Sequence, residues 1–190
     1  MMRFFTGGAG EKETMLILLT GGSGCGKSTY AEGLAETLGA PRYYVACMRP
    51  YGPESEKKIA RHRRMRAEKG FLTMERYLDV GGLALPERKG VALLECLCNL
   101  TANEMFDEGG AGADACEAVL RGIEHLTSQC ETLIVVTNDV GSDGIAYPPA
   151  TMAYVETLGE VNRRAAARAD RVVELVCGIP VPVKGELICV

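Results

Sequence analysis

The stretch that decides the fold reads Leu16-Ile17-Leu18-Leu19-Thr20-Gly21-Gly22-Ser23-Gly24-Cys25-Gly26-Lys27-Ser28-Thr29. An apolar run precedes the glycines, and a helical pattern follows them. The glycines let the backbone turn so tightly that successive N–H groups point inward and form a nest for phosphate oxygens. A helix that opens at Lys27 adds the positive end of its dipole. The stretch therefore predicts a strand, a phosphate-binding loop and a helix, and hence a protein that binds a nucleoside triphosphate.

The residues of this loop have separate predicted tasks. Lys27 supplies a positive charge for the β- and γ-phosphates, and the Ser28 hydroxyl is suited to ligate Mg²⁺. A plain glycine-rich turn is the alternative, but the strand and helix patterns on either side favour the phosphate-binding loop. The predicted nucleotide-binding residues of the loop are Gly21, Gly22, Ser23, Gly24, Cys25, Gly26, Lys27, Ser28 and Thr29.

Length and composition indicate a single domain. The chain has 190 residues, of which 47% are hydrophobic, enough for a sizeable core. Residues 1–14 are expected to be an extension before the domain (15–190) and not a secretory signal, because their apolar stretch is too short. The net charge of −4 gives no reason to expect a nucleic-acid partner, and no apolar run approaches the roughly 20 residues that span a bilayer. The eight cysteines lack paired CxxC spacing, which predicts reduced thiols in a cytoplasmic protein.

Apolar runs and helical patterns alternate along the chain. Such alternation is typical of an α/β domain with a mainly parallel sheet flanked by helices. The predicted strands cover about 15–19, 42–47, 71–75, 91–96, 132–137 and 171–176, with a short final strand after Pro180. The predicted helices cover about 27–38, 54–69, 99–106, 113–126 and 150–167.

Glu95 follows the apolar run that begins at Val91. A glutamate at a strand end usually faces solvent, but in proteins with a phosphate-binding loop an acidic residue at this place holds Mg²⁺, directly or through water. The sequence therefore predicts Ser28 and Glu95 as metal ligands. Another strand delivers Asn138 and Asp139 to the edge of the sheet where ligands bind in open α/β folds.

Residues 54–69, called here the basic segment, form a positively charged helical pattern. His62 and Arg66 are four residues apart and so lie on one side of that helix. A solvated charged face is the ordinary explanation for such a run, and by spacing alone His62 is an ordinary surface residue.

Several motifs together resemble one family over about Met15 to Lys184. They include Gly21–Ser28, Ile59-x-x-His62-x-x-x-Arg66, Thr73-x-Glu75, Leu93-Leu94-Glu95-Cys96, Thr137-Asn138-x-Val140-Gly141, Gly144-Ile145, Gly159-x-x-Asn162 and Ala169-Asp170-x-Val172. In order and spacing these are similar to the bifunctional adenosylcobinamide kinase/adenosylcobinamide-phosphate guanylyltransferase family. The resemblance implies a P-loop NTPase fold of the RecA-like type, an enzyme of cobalamin biosynthesis and a homotrimer.

The resemblance also implies a chemistry for the site. His62 would take GMP from GTP as a phosphoramidate and pass it to adenosylcobinamide phosphate, giving adenosylcobinamide-GDP. In a separate step, ATP or GTP would phosphorylate the aminopropanol hydroxyl of adenosylcobinamide. Mg²⁺ would assist at Ser28 and Glu95, and Arg66 and Glu75 would belong to the nucleotide site.

The chain departs from the family pattern at a few positions. Gly24 and Val155 stand where arginine is common, Ala67 replaces a proline, and Phe71 replaces a frequent tryptophan. Ser142-Asp143 lengthens one loop by a residue. Two other functions stay open at this point: a P-loop kinase or nucleotidyltransferase for a different small molecule, and a regulatory ATPase or GTPase. A nucleotide covalently bound to the protein would separate the family's enzymes from such a regulator.

Overall fold

Seven strands in one sheet form the centre of the molecule in a computed structural model, which describes residues 14–50, 52, 59–60, 63–64, 66, 68–141 and 144–188. The sheet order is β3-β2-β4-β5-β1-β6-β7, and neighbours run parallel except β6 and β7. The predicted mainly parallel α/β fold is confirmed. The strands are β1 (Met15–Thr20), β2 (Arg42–Ala46), β3 (Phe71–Glu75), β4 (Val91–Glu95), β5 (Thr132–Val136), β6 (Arg171–Val176) and β7 (Ile179–Lys184).

Helices cover both faces of the sheet. On one face lies α1 (Lys27–Leu38), and on the other lie α2 (Leu97–Phe106), α3 (Ala115–Thr127) and α4 (Pro149–Arg168). Each face has its own apolar core, and successive residues of β1 contribute to the two cores alternately. This explains why β1 is apolar at every position rather than at every second one.

The central strands bring separate parts of the sequence to one edge of the sheet. Strand β5 lies between β1 and β4, with Leu19 opposite Val136 and Val136 opposite Glu95. The phosphate-binding loop, Asn138 and Glu95 therefore emerge side by side at the carboxyl ends of parallel strands. In doubly wound sheets this edge binds ligands.

Two predicted segments fall wholly or mostly outside the described residues. The extension over 1–14 is described only at Thr14. Within the basic segment the described residues are Ile59, Ala60, Arg63, Arg64 and Arg66, which are helical, and residues 68–69, which form a turn. Of the helices that the structure describes, none has the length and apolar character needed to cross a bilayer.

Candidate active site

The loop between β1 and α1 has a backbone that favours glycine. Gly21, Gly24 and Gly26 have φ angles of 135°, 73° and 98°. At Gly21 an added Cβ would lie 2.6 Å from the carbonyl oxygen of Leu175, so this position has no room for a side chain. Gly26 is the N-cap of α1, whose first amides have no intrahelical partner and are available to an anion.

Lys27 lies along the inner side of this loop. The residue is buried, with 6% of its surface exposed. Its Nζ donates to the carbonyl oxygen of Gly21 at 2.8 Å and to that of Gly22 at 2.5 Å. The ammonium group therefore lies at the loop, where the sequence predicts that it meets phosphates.

Ser28 and Glu95, the two predicted metal ligands, are in direct contact. The Ser28 hydroxyl donates to Oε1 of Glu95 at 2.5 Å. A hydroxyl and a carboxylate are hard oxygen donors of the kind that Mg²⁺ takes alongside water and phosphate oxygens. The donor set therefore fits the ion that the motif implies.

Tyr44 is a site residue that the sequence did not single out. Its hydroxyl donates to Oε2 of Glu95, and its ring lies 3.6 Å beneath the guanidinium carbon of Arg66. Burial, and then the charge of Glu95, raise the pKa of Tyr44 well above its ordinary value, so the phenol remains a donor. The alternation of faces along β2 would have assigned Tyr44 to the α1 side, but only the strand order brings it beside Glu95.

Arg66 is buried, not part of a solvated face. Only 3% of its surface is exposed, and its Nε has no hydrogen-bond partner among the described residues. The ordinary explanation of the basic segment as a solvated charged face is therefore wrong for this residue, although Arg63 and Arg64 are exposed. An arginine that is buried on an aromatic ring with a free donor is suited to bind an anion.

Arg63 and Glu75 form an ion pair on the wall that faces the phosphate-binding loop. Glu75 ends β3, and it lines the cavity. His62 lies outside the described residues. Its described neighbours Ile59, Arg63 and Arg66 line the cavity.

One cavity unites these groups. Its volume is about 530 Å³, within the range of small-molecule sites. The loop supplies one wall, the ends of β2, β4 and β5 supply the floor, and the basic segment supplies the opposite wall. The residues lining it include Ser23, Gly24, Gly26, Lys27, Ser28, Thr29, Tyr44, Arg63, Arg66, Glu75, Glu95, Cys98 and Asn138.

Cys98 adds a perturbed thiol to the floor of this cavity. It is the second residue of α2, and Nδ2 of Asn138 lies 3.4 Å from its sulfur. Hydrogen bonds from Cys96 and from Asn138 lower the pKa of Cys98 to about 6, against the opposing effect of burial. The seven described cysteines are all free thiols.

Comparisons with known proteins match most of the chain to one family. A sequence model of the family described as CobU, cobinamide kinase / cobinamide phosphate guanyltransferase, matches residues 17–183. The bifunctional adenosylcobalamin biosynthesis protein CobU of Escherichia coli K12 is 31% identical over 183 residues, covering 90% of this chain and 100% of the relative. The protein of the same name from Salmonella typhimurium LT2 is 32% identical over 184 residues, with the same coverage. The bifunctional adenosylcobalamin biosynthesis protein CobP of Pseudomonas aeruginosa PAO1 is 29% identical over 175 residues, covering 90% and 99%.

Proposed function

Since the chain belongs to the cobinamide kinase / cobinamide phosphate guanyltransferase family, we propose that it carries out both of these reactions. As a kinase it phosphorylates adenosylcobinamide with ATP or GTP. As a guanylyltransferase it moves GMP from GTP to adenosylcobinamide phosphate, and the product is adenosylcobinamide-GDP in cobalamin biosynthesis. The observation that carries the proposal is a single cavity lined by the phosphate-binding loop, Glu95 and three residues of the segment that carries His62.

In the kinase reaction the protein mainly has to position the two substrates and neutralise the charge of the phosphates. The loop amides and the start of α1 bind the triphosphate. Lys27 turns from the carbonyl oxygens of Gly21 and Gly22 toward the β- and γ-phosphates, whose negative charge attracts its ammonium group more strongly than two neutral carbonyls do. The substrate hydroxyl attacks the γ-phosphorus and releases its proton to solvent, the bond between the γ-phosphorus and the β-phosphate oxygen breaks, and ADP or GDP leaves.

Ser28 and Glu95 are the residues that would hold Mg²⁺ in both reactions. Their oxygen atoms are already neighbours at the mouth of the phosphate-binding loop. When bound there, the ion neutralises charge on the phosphates. The protein's part is to place the hydroxyl oxygen of Ser28 and a carboxylate oxygen of Glu95 close together as metal ligands.

The guanylyl transfer uses His62 as a nucleophile. A neutral imidazole nitrogen attacks the α-phosphorus of GTP, a P–N bond forms, and pyrophosphate leaves. The phosphate of adenosylcobinamide phosphate then attacks the same phosphorus, and the P–N bond breaks. Arg66 is a buried cation at the wall of the cavity, and its Nε has no partner among the described residues. It stabilises the phosphate charge during both transfers.

The assembly and the location belong to the same proposal. The resemblance implies a homotrimer, and the free thiols of the described cysteines support a reducing compartment such as the cytoplasm.

The proposal is tested by incubating the purified protein with adenosylcobinamide, Mg²⁺ and either ATP or GTP, and separating the corrinoids by chromatography. We expect adenosylcobinamide phosphate with either nucleotide, and adenosylcobinamide-GDP only with GTP. The Lys27→Ala variant should form both products much more slowly than the parent protein. Hydrolysis of the nucleotide with no change in adenosylcobinamide would contradict the proposal and favour a regulatory NTPase.

A further inference from the structure

One side chain contacts both walls of the cavity. Tyr44 lies in the middle of β2, between β3 and β4, and only 3% of its surface is exposed. Its hydroxyl reaches Glu95, on the side of the phosphate-binding loop, and its ring supports Arg66, on the side of the basic segment. The residue therefore links the predicted metal ligand to the buried cation.

The link fixes the carboxylate of Glu95 at both oxygens. Ser28 donates to Oε1, and Tyr44 donates to Oε2. A hydroxyl that ligates Mg²⁺ uses an oxygen lone pair, so Ser28 has to turn its lone pair toward the ion when the metal–nucleotide complex binds. Tyr44 is then the donor that keeps the carboxylate oriented, with Oε1 directed toward the loop.

The same residue determines where Arg66 lies. The guanidinium carbon lies 3.6 Å from the centre of the ring, close enough for the ring face to attract the cation. Nε of Arg66 has no hydrogen-bond partner among the described residues, and the guanidinium contacts the ring of Tyr44. Loss of the ring would leave the cation without that support.

We propose that Tyr44 is a positioning residue that holds Glu95 through its hydroxyl and Arg66 through its ring. The inference rests on the proposed function, because it gives Tyr44 two tasks in those reactions. One is to orient Glu95, the predicted metal ligand, and the other is to support Arg66, the cation that stabilises phosphate charge. The two tasks use different atoms of one side chain and can be separated by substitution.

Tyr44→Phe removes the hydroxyl and keeps the ring, whereas Tyr44→Leu removes both. The first measurement is the affinity for a non-hydrolysable GTP analogue as the Mg²⁺ concentration is raised. The second is the affinity for pyrophosphate in the absence of metal. For Tyr44→Phe, we expect the Mg²⁺ concentration for half-maximal enhancement of nucleotide binding to rise about tenfold, the effect of one hydrogen bond to a charged group. Pyrophosphate binding should stay as in the parent. Tyr44→Leu should weaken pyrophosphate binding as well.

Tyr43→Phe is the matched control. Tyr43 is the neighbouring residue of β2 and is similarly buried, in the core on the opposite face of the sheet. Its hydroxyl donates to the carbonyl oxygen of Glu87. The Tyr43→Phe variant should melt at a temperature similar to that of Tyr44→Phe, and its nucleotide binding should keep the parent's dependence on Mg²⁺. In a Glu95→Gln background, Tyr44→Phe should have little further effect on the Mg²⁺ dependence, because the two changes act on one contact.

The outcomes distinguish the inference from the function on which it rests. Nucleotide binding by the parent, with the same Mg²⁺ dependence in Tyr44→Phe and Tyr43→Phe, would overturn the positioning role and leave the proposed function standing. Equal effects of Tyr44→Phe with and without Glu95→Gln would also overturn it, since the effect would not pass through Glu95. A parent that binds no nucleotide would overturn the proposed function, and this inference with it.

Discussion

The Ser28 hydroxyl donates a hydrogen bond to Oε1 of Glu95 at 2.5 Å, although the two residues are 67 positions apart in the sequence. The contact exists because β4 and β1 both flank β5 and end at the same edge of the sheet. It joins the first turn of α1 to the carboxylate at the end of β4. The two residues predicted separately as metal ligands are therefore neighbours.

This contact predicts which carboxylate the nucleotide-bound metal needs. Glu95→Gln should weaken the Mg²⁺ enhancement of nucleotide binding about tenfold or more, because an amide is a poorer ligand than a carboxylate for a hard cation. Asp139→Asn is the comparison, since Asp139 is an exposed carboxylate at the adjacent strand end. The measurement is nucleotide affinity at increasing Mg²⁺. A large effect of Asp139→Asn with none from Glu95→Gln would assign the metal to the other carboxylate.

Lys27→Ala should weaken triphosphate binding by at least tenfold, because it removes the side-chain cation that lies against the loop. Lys89→Ala is a suitable control. Lys89 is an exposed residue just before β4, at the opposite edge of the sheet, where it pairs with Glu87. Equilibrium binding of a labelled nucleotide gives both affinities. Equal affinity of Lys27→Ala and the parent would contradict the loop assignment.

Gly21→Ala should destabilise the protein by about 1–3 kcal/mol, because the new methyl group would meet a backbone oxygen at a positive φ angle. Gly22→Ala changes the same loop where an added Cβ meets nothing within 4 Å, so its free energy of unfolding should stay near that of the parent. For a chain of this size, the melting temperature falls roughly 2–4 °C for each kcal/mol lost. Equal melting temperatures for the two variants would contradict the account of the loop.

Cys98 should react with iodoacetamide at unusually low pH. Because the thiolate is the nucleophile and the pKa of Cys98 is lowered to about 6, its alkylation rate should rise with pH through about 6 and approach a plateau by pH 7. Burial raises the pKa of Cys130 to about 12, so that residue should stay unmodified over the same range. Peptide mass spectrometry follows both sites, and bound nucleotide should protect Cys98, which lines the cavity. A midpoint near the ordinary value of about 8.5 would contradict the predicted environment.

Local patterns were sufficient for most of the fold. The apolar runs placed the strands within one or two residues, and the alternation with helices predicted the parallel sheet. The loop and Glu95 were recognisable because their residue types carry a specific chemistry. The burial of Arg66 and the contact of Tyr44 with Glu95 were not predictable, because they depend on which strands are neighbours. A tyrosine in an apolar strand has the same local sequence pattern whether it only fills the core or also hydrogen-bonds to a residue of the site.

The central claim is that His62 becomes covalently guanylylated. The protein is mixed with GTP and Mg²⁺, and its mass is measured intact before and after mild acid, which cleaves a phosphoramidate. The chain has two histidines, so His125→Asn is a matched control for His62→Asn. His125 lies in the last turn of α3, where its Nε2 is hydrogen-bonded to the carbonyl oxygen of Leu83.

We expect the parent and His125→Asn to gain the mass of one GMP that mild acid removes, and His62→Asn to gain none while melting near the parent temperature. Equal labelling of His62→Asn and the parent would show that His62 is an ordinary residue. No labelling of the parent, with adenosylcobinamide still phosphorylated, would contradict the guanylyltransferase half of the account and leave only the kinase.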